Sequence, residues 1–292
     1  MWIKLVVVLL GVMLGWYLLD DFNAESLQGK RVIVTGASTG IGEQMAYHFC
    51  RLGAQVLVTS RREAALKKVV DNCREVGDPD GKYYYYAADM SDLTSTEKVI
   101  QEAVDRMGGL DYLVLNHILV HNLGGWEGSP ENLTRLNTIM DVNFKAYVHL
   151  ATHAMPHLDK TEGRVIVVSS VAGKLGQPFV AAYSASKFAL DGFFSSLRQE
   201  LILKGSKVSV TLGVIGLIGT ENAVNKLLLF GKKFLLETLK PALPADAALA
   251  IIKGGANRQW EMYFPYLETR LITLIRDWMP KPLAAINRYL YS

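Results

Sequence analysis

Residues 31–42 read RVIVTGASTGIG: a β-branched apolar run that ends in a glycine-rich turn and passes at once into a helix-forming stretch. The decisive piece is Thr35-Gly36-Ala37-Ser38-Thr39-Gly40-Ile41-Gly42. Glycines placed this way let the backbone turn tightly and approach a pyrophosphate, which then rests on the free N–H groups of the helix N-terminus. Such a turn by itself is a weak signal. Its position after the first strand of an alternating pattern makes it a strong one for a dinucleotide. Strand candidates lie at 31–35, 55–60, 83–88, 112–116, 164–169 and 207–212, with helical patterns near 41–53, 62–76, 94–107, 133–155 and 183–204. Regular alternation predicts an α/β fold, a doubly wound, Rossmann-like parallel sheet covered by helices on both faces. The four tyrosines Tyr83 to Tyr86 read as a strand with aromatic faces.

The end of the second strand bears on which dinucleotide fits. An NAD site usually places a carboxylate there for the ribose 2′-OH, whereas the 2′-phosphate of NADP needs positive charge. Here the strand closes on Thr59-Ser60-Arg61-Arg62, with no acid before Glu63. NADP(H) is the expected cofactor, held through Arg61, with Arg62 open between that role and a solvated helix start.

Farther along, Ser170 follows the strand at 164–169, and Tyr183-Ser184-Ala185-Ser186-Lys187 opens a long helical stretch. Tyr183 and Lys187 are four residues apart and share one helical face. A phenol titrates near 10, too high for ready proton exchange at neutral pH. A neighbouring ammonium lowers that value by up to about 3 units. Tyr183 is therefore the expected general acid/base, and Ser170 the expected donor to the substrate oxygen.

Half of the 292 residues are hydrophobic, so the chain can bury enough surface to fold. The net charge of +3, without a long Lys/Arg run, argues against a nucleic-acid partner. Cys50 and Cys73 form neither a disulfide scaffold nor a CxxC motif, and their pairing stays open. Leu5 to Leu19 carries no charge, and counting from Trp2 extends the run to about 27 Å of helix, close to the thickness of a thin bilayer. An uncleaved membrane anchor is expected over 1–22, because Asp20-Asp21-Phe22-Asn23 offers no small-x-small cleavage site; the alternative is secretion after signal cleavage. Lys4 before the run and the two aspartates after it place the remaining chain in a lumen. Asn132-Leu133-Thr134 is a glycosylation sequon. His149, His153 and His157 have metal-ligand spacing but no HExxH, and Pro156 interrupts them, so a polar helix face is expected and no metal. Residues 263–292 form an apolar tail, with Leu267, Leu271, Leu274, Ile275 and Trp278 in one stripe, Pro280 and Pro282 as a stop, and a second stripe at Leu283, Ile286 and Leu290. Core or dimer interface is the first reading of that tail and membrane contact the second. The catalytic unit is expected over 23–262.

These motifs together resemble the short-chain dehydrogenase/reductase family: TGxxxGxG at Thr35 to Gly42, and Ser170 followed by Tyr183-x-x-x-Lys187. Asn143, in Asp141-Val142-Asn143-Phe144, matches the family's fourth catalytic residue, an asparagine that holds a proton-relay water. The resemblance covers 27 to about 260. SLQGKRVIVTGAS, LVLNHI, VVSSVAGK and AAYSASKFALDGFFSSLR are similar to the 11-beta-hydroxysteroid dehydrogenase type 1 group, and FPYLETRLITLIRDWMPKP to its type 1-like branch. The resemblance implies NADP(H)-dependent interconversion of a secondary alcohol and a ketone on a steroid or similar lipophile, by a homodimer anchored in the endoplasmic reticulum membrane and facing the lumen. It implies cofactor contacts from Gly36, Ala37, Ser38, Thr39, Gly40, Ile41, Gly42, Arg61 and Arg62. Asp89, Met90, Asn116, His117, Ile118, Tyr183, Lys187, Ile218 and Thr220 complete that set, with Ser170 and Tyr183 on the substrate. Lys187 would bind the ribose and lower the Tyr183 pKa.

Some positions depart from the family pattern. Asn116-His117-Ile118 stands where Asn-Ala-Gly is common, and Ile215-Gly216 where Pro-Gly is common. Thr39 replaces a basic residue and Gln177 an aromatic that lines the type 1 steroid pocket. The apolar run KLLLFGKKFLL, Lys226 to Leu236, is expected beside the substrate entrance and suits other lipophiles, retinoids among them. A catalytically idle, cofactor-binding membrane scaffold is the rival from another class.

Overall fold

The computed structural model describes residues 22–120 and 124–291. Its centre is a seven-stranded sheet, parallel throughout: β1 (Arg31–Thr35), β2 (Gln55–Ser60), β3 (Tyr83–Ala87), β4 (Tyr112–Leu115), β5 (Arg164–Val168), β6 (Ser209–Ile215) and β7 (Glu261–Phe264). The spatial order β3-β2-β1-β4-β5-β6-β7 reverses direction between β1 and β4. At such a switch point the connections leave in opposite directions and open a crevice beyond the carboxyl ends of the strands.

Alternation along each strand divides the core into two layers. Ile33, Leu57, Leu113, Val165, Val167 and Leu212 face one side, where α3 (Thr94–Met107), α5 (Ala146–Asp159) and α6 (Ala181–Leu203) supply Val99, Leu150 and Phe194. Val32, Val34, Val58, Val114 and Ile166 face the other, covered by α1 (Gly40–Arg51), α2 (Glu63–Val76) and α9 (Pro244–Ala256) through Phe49, Leu66 and Ile251. Burial of each such side chain contributes about 1.5–3 kcal/mol, enough to pin the register. The tyrosine strand obeys the same rule: Tyr84 and Tyr86 pack on the first layer, Tyr83 and Tyr85 on the second.

Several elements differ from expectation. β6 runs to Ile215 because Val214 and Ile215 pair with Tyr263 and Phe264 of β7, a four-residue strand too short to stand out in the sequence. The expected division at residue 262 falls inside β7. The helical stretch near 133–155 is α4 (Pro130–Met140), a π-turn (Asp141–Lys145) and α5, and Pro156 lies inside α5 without ending it. Two short helices, α7 (Glu221–Leu229) and α8 (Lys233–Leu239), precede α9. The tail forms α10 (Tyr266–Trp278) and α11 (Pro280–Tyr291).

Cys50 on α1 and Cys73 on α2 are both buried and joined by a disulfide, with Cα atoms 5.6 Å apart. The expected anchor lies outside the described residues, and among those described no helix is long and apolar enough to cross a membrane. The sequon asparagine sits on the first turn of α4, where its Oδ1 accepts from the Glu127 N–H at 3.0 Å.

Candidate active site

The glycine turn after β1 forms one wall of the crevice. Gly36 has φ +64°, and a Cβ there would lie 2.6 Å from the Cα of His117. A Cβ on Gly42 would lie 2.4 Å from the Gly36 carbonyl and 2.5 Å from Asn116 Nδ2. No larger residue fits either place. Asn116 braces the same turn, its Nδ2 donating to the carbonyls of Thr35 (3.1 Å) and Gly36 (3.3 Å). Thr39, the residue preceding α1, makes no side-chain cap, so the first-turn N–H groups keep their capacity to bind an anion.

The two arginines have separate positions. Arg62 donates to Ser38 Oγ and Thr39 Oγ1, both at 3.0 Å, and so braces the turn rather than standing as a solvated helix start. Arg61 is exposed, lines the crevice and makes no hydrogen bond or ion pair among the described residues. Asp89 and Met90 line the adjacent wall beyond β3, with Asp89 Oδ1 accepting from Ser91 N–H. Exposed Ile118 and buried Ile218 lie along the same crevice, and Thr220 precedes α7 with its Oγ1 accepting from the Ala223 N–H at 3.3 Å.

His117 is buried between layers. Nδ1 lies 2.9 Å from Thr35 Oγ1 and Nε2 lies 3.0 Å from the Val142 carbonyl. Burial pushes its pKa down to about 3, outweighing the Val142 bond, which raises it. The ring is therefore neutral, with Nε2–H donating to Val142 and Nδ1 accepting from the Thr35 hydroxyl. Tyr147 Oη donates to the His117 carbonyl at 2.7 Å. His117 is thus a strut between β1 and the π-turn.

That π-turn carries Asn143, which is fully buried. Its Oδ1 accepts from the Leu119 N–H at 2.6 Å, and its Nδ2 donates to the Leu119 carbonyl at 2.9 Å and to Ser186 Oγ at 3.3 Å. Both amide protons are committed. A relay water would have to use the remaining oxygen lone pairs. Ser186 in turn donates to the Tyr183 carbonyl at 2.7 Å, linking the π-turn to α6.

Ser170, Tyr183 and Lys187 come together at the ends of β5 and α6. Ser170 Oγ accepts from the Ala172 N–H at 3.1 Å, and its hydroxyl pulls the Tyr183 pKa down. Lys187 Nζ donates to the Val168 carbonyl at 2.9 Å and lies 5.8 Å from the centre of the Tyr183 ring. One expectation is corrected: burial pushes the Tyr183 pKa up, and among the described residues the opposing pull comes from the Ser170 hydroxyl. Burial also brings Lys187 down to about 7, so it carries only part of the charge needed to depress the phenol. Lys174, four residues beyond Ser170, pairs with Asp191 of α6 (2.6 Å) and Glu261 of β7 (2.7 Å) and ties the serine turn to both.

The crevice belongs to one cavity of about 1160 Å³ whose wall also includes Gln177, Leu227, Leu235, Leu239 and Tyr291. Tyr291, from the last turn of α11, stacks 6.0 Å from Phe179, and Lys232 Nζ donates to its carbonyl at 2.7 Å. Leu119, Lys174 and Tyr291 carry no signal in the sequence, and Thr35 stands there only as the first residue of the glycine turn. Each acts across a long separation, and only the Thr at the end of β1 had a local signal. His149 and His153 sit one helical turn apart, ring centres 6.4 Å apart, and no cluster of three metal-ligating side chains occurs among the described residues.

The fold is shared with a solved short-chain dehydrogenase/reductase from Burkholderia phymatum, in complex with NAD, at a TM-score of 0.74 and 20% identity over 86% of this chain and 95% of that one. The chain is 50% identical over 257 residues to the hydroxysteroid 11-beta-dehydrogenase 1-like protein of Gallus gallus, covering 88% of this chain and 86% of the relative. It is 46% identical to the protein so named in Xenopus tropicalis (91% and 89% covered) and 44% to that of Danio rerio (93% and 91%). A family model described as short chain dehydrogenase matches residues 30–227. With the glycine turn and the Ser170–Tyr183–Lys187 cluster at the switch point, these matches make the chain a member of the short-chain dehydrogenase/reductase family.

Proposed function

We propose that the protein is an NADP(H)-dependent oxidoreductase that interconverts a secondary alcohol and a ketone on a steroid-like lipophile. The observation that carries this reading is the convergence of Ser170, Tyr183 and Lys187 where the glycine-turn crevice opens into an apolar hollow. The residues fit the cofactor: a turn in which Gly36 and Gly42 leave no room for a Cβ, uncapped first-turn amides and an unengaged Arg61.

When bound, the dihydronicotinamide supplies a hydride to the carbonyl carbon. Tyr183 Oη gives its proton to the carbonyl oxygen, and Ser170 Oγ donates a hydrogen bond to that oxygen as charge develops. Lys187, buried with its Nζ donating to the Val168 carbonyl and 5.8 Å from the centre of the Tyr183 ring, binds the cofactor ribose beside the reacting phenol. Asn143 keeps the segment at Leu119 against α6, so that the tyrosine stays aligned. Arg61 takes the 2′-phosphate.

The same reading places the enzyme on the endoplasmic reticulum membrane through its N-terminal run, with the catalytic unit in the lumen, as a homodimer. The buried Cys50–Cys73 disulfide supports an oxidising compartment. A screen of steroid ketones, retinals and small quinones with NADPH and with NADH tests the function. Oxidation of NADPH by lipophilic ketones is the expected result; preference for NADH overturns the Arg61 assignment, and no turnover of any carbonyl revives an idle scaffold.

A further inference from the structure

Lys226 is the one lysine in the wall of the apolar hollow among the described residues. It is half-buried on α7, next to Leu227, and shares the cavity wall with Leu235 and Leu239. Its Nζ donates to the backbone carbonyl of Val120, in the segment that Asn143 holds at Leu119. An ammonium has three donors, and this bond uses one. It forms no ion pair among the described residues, and burial is the only influence on its pKa, which it lowers. The contrast is Lys174, also half-buried, which meets two carboxylates. A cation taken partly out of water with no counter-charge is costly unless a partner arrives.

The position separates Lys226 from the cofactor cradle. A Cβ on Gly40 would lie 3.1 Å from Thr220 Cγ2, which puts the start of α7 against the glycine turn. Lys226 is six residues farther on, about 9 Å along the helix. Val120, its partner, shares the lining of a smaller cavity with Phe179 and Tyr183, on the substrate side.

We infer that Lys226 selects an amphipathic carbonyl substrate that carries an anionic group, a carboxylate or sulfate, remote from the reacting carbon. The inference rests on the carbonyl-reductase reading above and narrows its substrate class: an apolar body fills the hollow and its charged end meets the ammonium.

The test uses the full chain and a keto acid paired with its own methyl ester on one tetracyclic skeleton, with the sulfate ester of the matching hydroxy-ketone as a second anion. Wild type is expected to favour the acid or the sulfate over the neutral ester by about tenfold or more in kcat/KM, the size of one charge-assisted hydrogen bond. Lys226→Met should bring that ratio to about one, and Lys226→Arg should restore it. Equilibrium binding of the acid and the ester, measured calorimetrically on wild type and Lys226→Met with NADP+ present, gives the same ratio without turnover. Equal handling of acid and ester by wild type overturns the inference while leaving the reductase reading intact. A parallel loss of NADPH affinity in Lys226→Met also overturns it, by assigning the ammonium to the cofactor phosphates. Reduction of no carbonyl at all, with acid binding still dependent on Lys226, would instead sink the reductase reading.

Discussion

His117 Nε2 donates to the carbonyl of Val142 at 3.0 Å and, with the two bonds between Leu119 and Asn143, joins the segment after β4 to the π-turn that carries Asn143. The family's usual small residue at this position could not make the histidine's bond. Removing the ring in His117→Ala leaves the Val142 carbonyl without its donor in a buried place, while Thr35 Oγ1 keeps the Val114 carbonyl and the Asn116 N–H, a loss of about 1–3 kcal/mol in urea unfolding. Burial of the ring also sets a pH dependence. The unfolded histidine takes up a proton near its ordinary value of 6.5, whereas the folded one stays neutral until about 3. Stability therefore falls as pH drops through that window, by up to about 2 kcal/mol between about pH 6.5 and pH 5. His117→Gln should show a smaller fall, and an identical one would remove His117 as its source.

Tyr183→Phe removes the proton donor but keeps the ring. Loss of a general acid lowers turnover by about 100- to 10,000-fold. Binding of NADPH, followed by its fluorescence, should change little, because the turn, Asn116 and Arg61 are untouched. Activity within a few-fold of wild type would refute the assigned proton path.

Arg61 and Arg62 are adjacent in sequence and part in function. Arg61→Ala should weaken NADPH by about ten- to a hundredfold and leave NADH nearly unchanged, since only the 2′-phosphate is lost. Arg62→Ala should weaken both nucleotides together, because its guanidinium holds Ser38 and Thr39 of the turn. Dissociation constants for the two cofactors across the two variants separate the roles.

The disulfide between α1 and α2 closes a separation of 23 residues. Cross-linking a loop of that length restricts the unfolded chain by about 3 kcal/mol in the chain-entropy model. Dithiothreitol, or the double replacement Cys50→Ala with Cys73→Ala, should lower Tm by several degrees. An unchanged Tm under reductant that alkylation shows to have opened the bond would mean the helices hold each other by packing alone.

Local patterns in the chain determined most of the scaffold and the identity of the reacting groups. The glycine turn, the alternating strands and the four-residue spacing of Tyr183 and Lys187 are short-range features, because helix and strand periodicity and backbone sterics act between near neighbours. Their chemistry can be read residue by residue. Tertiary structure decided what these groups do to one another. Asn143 spends both amide protons on Leu119 and Ser186, Lys187 turns to Val168, and the Tyr183 phenol is raised rather than lowered by its surroundings. Arg62 folds back on the turn while Arg61 stays open, a distinction invisible in two consecutive identical residues. The β7 strand, the disulfide and the packing of Tyr291 against Phe179 in the cavity wall all join segments far apart in the chain. Burial, hydrogen-bond partners and the electrostatics that follow from them are properties of the packed assembly, and no local spacing in the sequence encodes them.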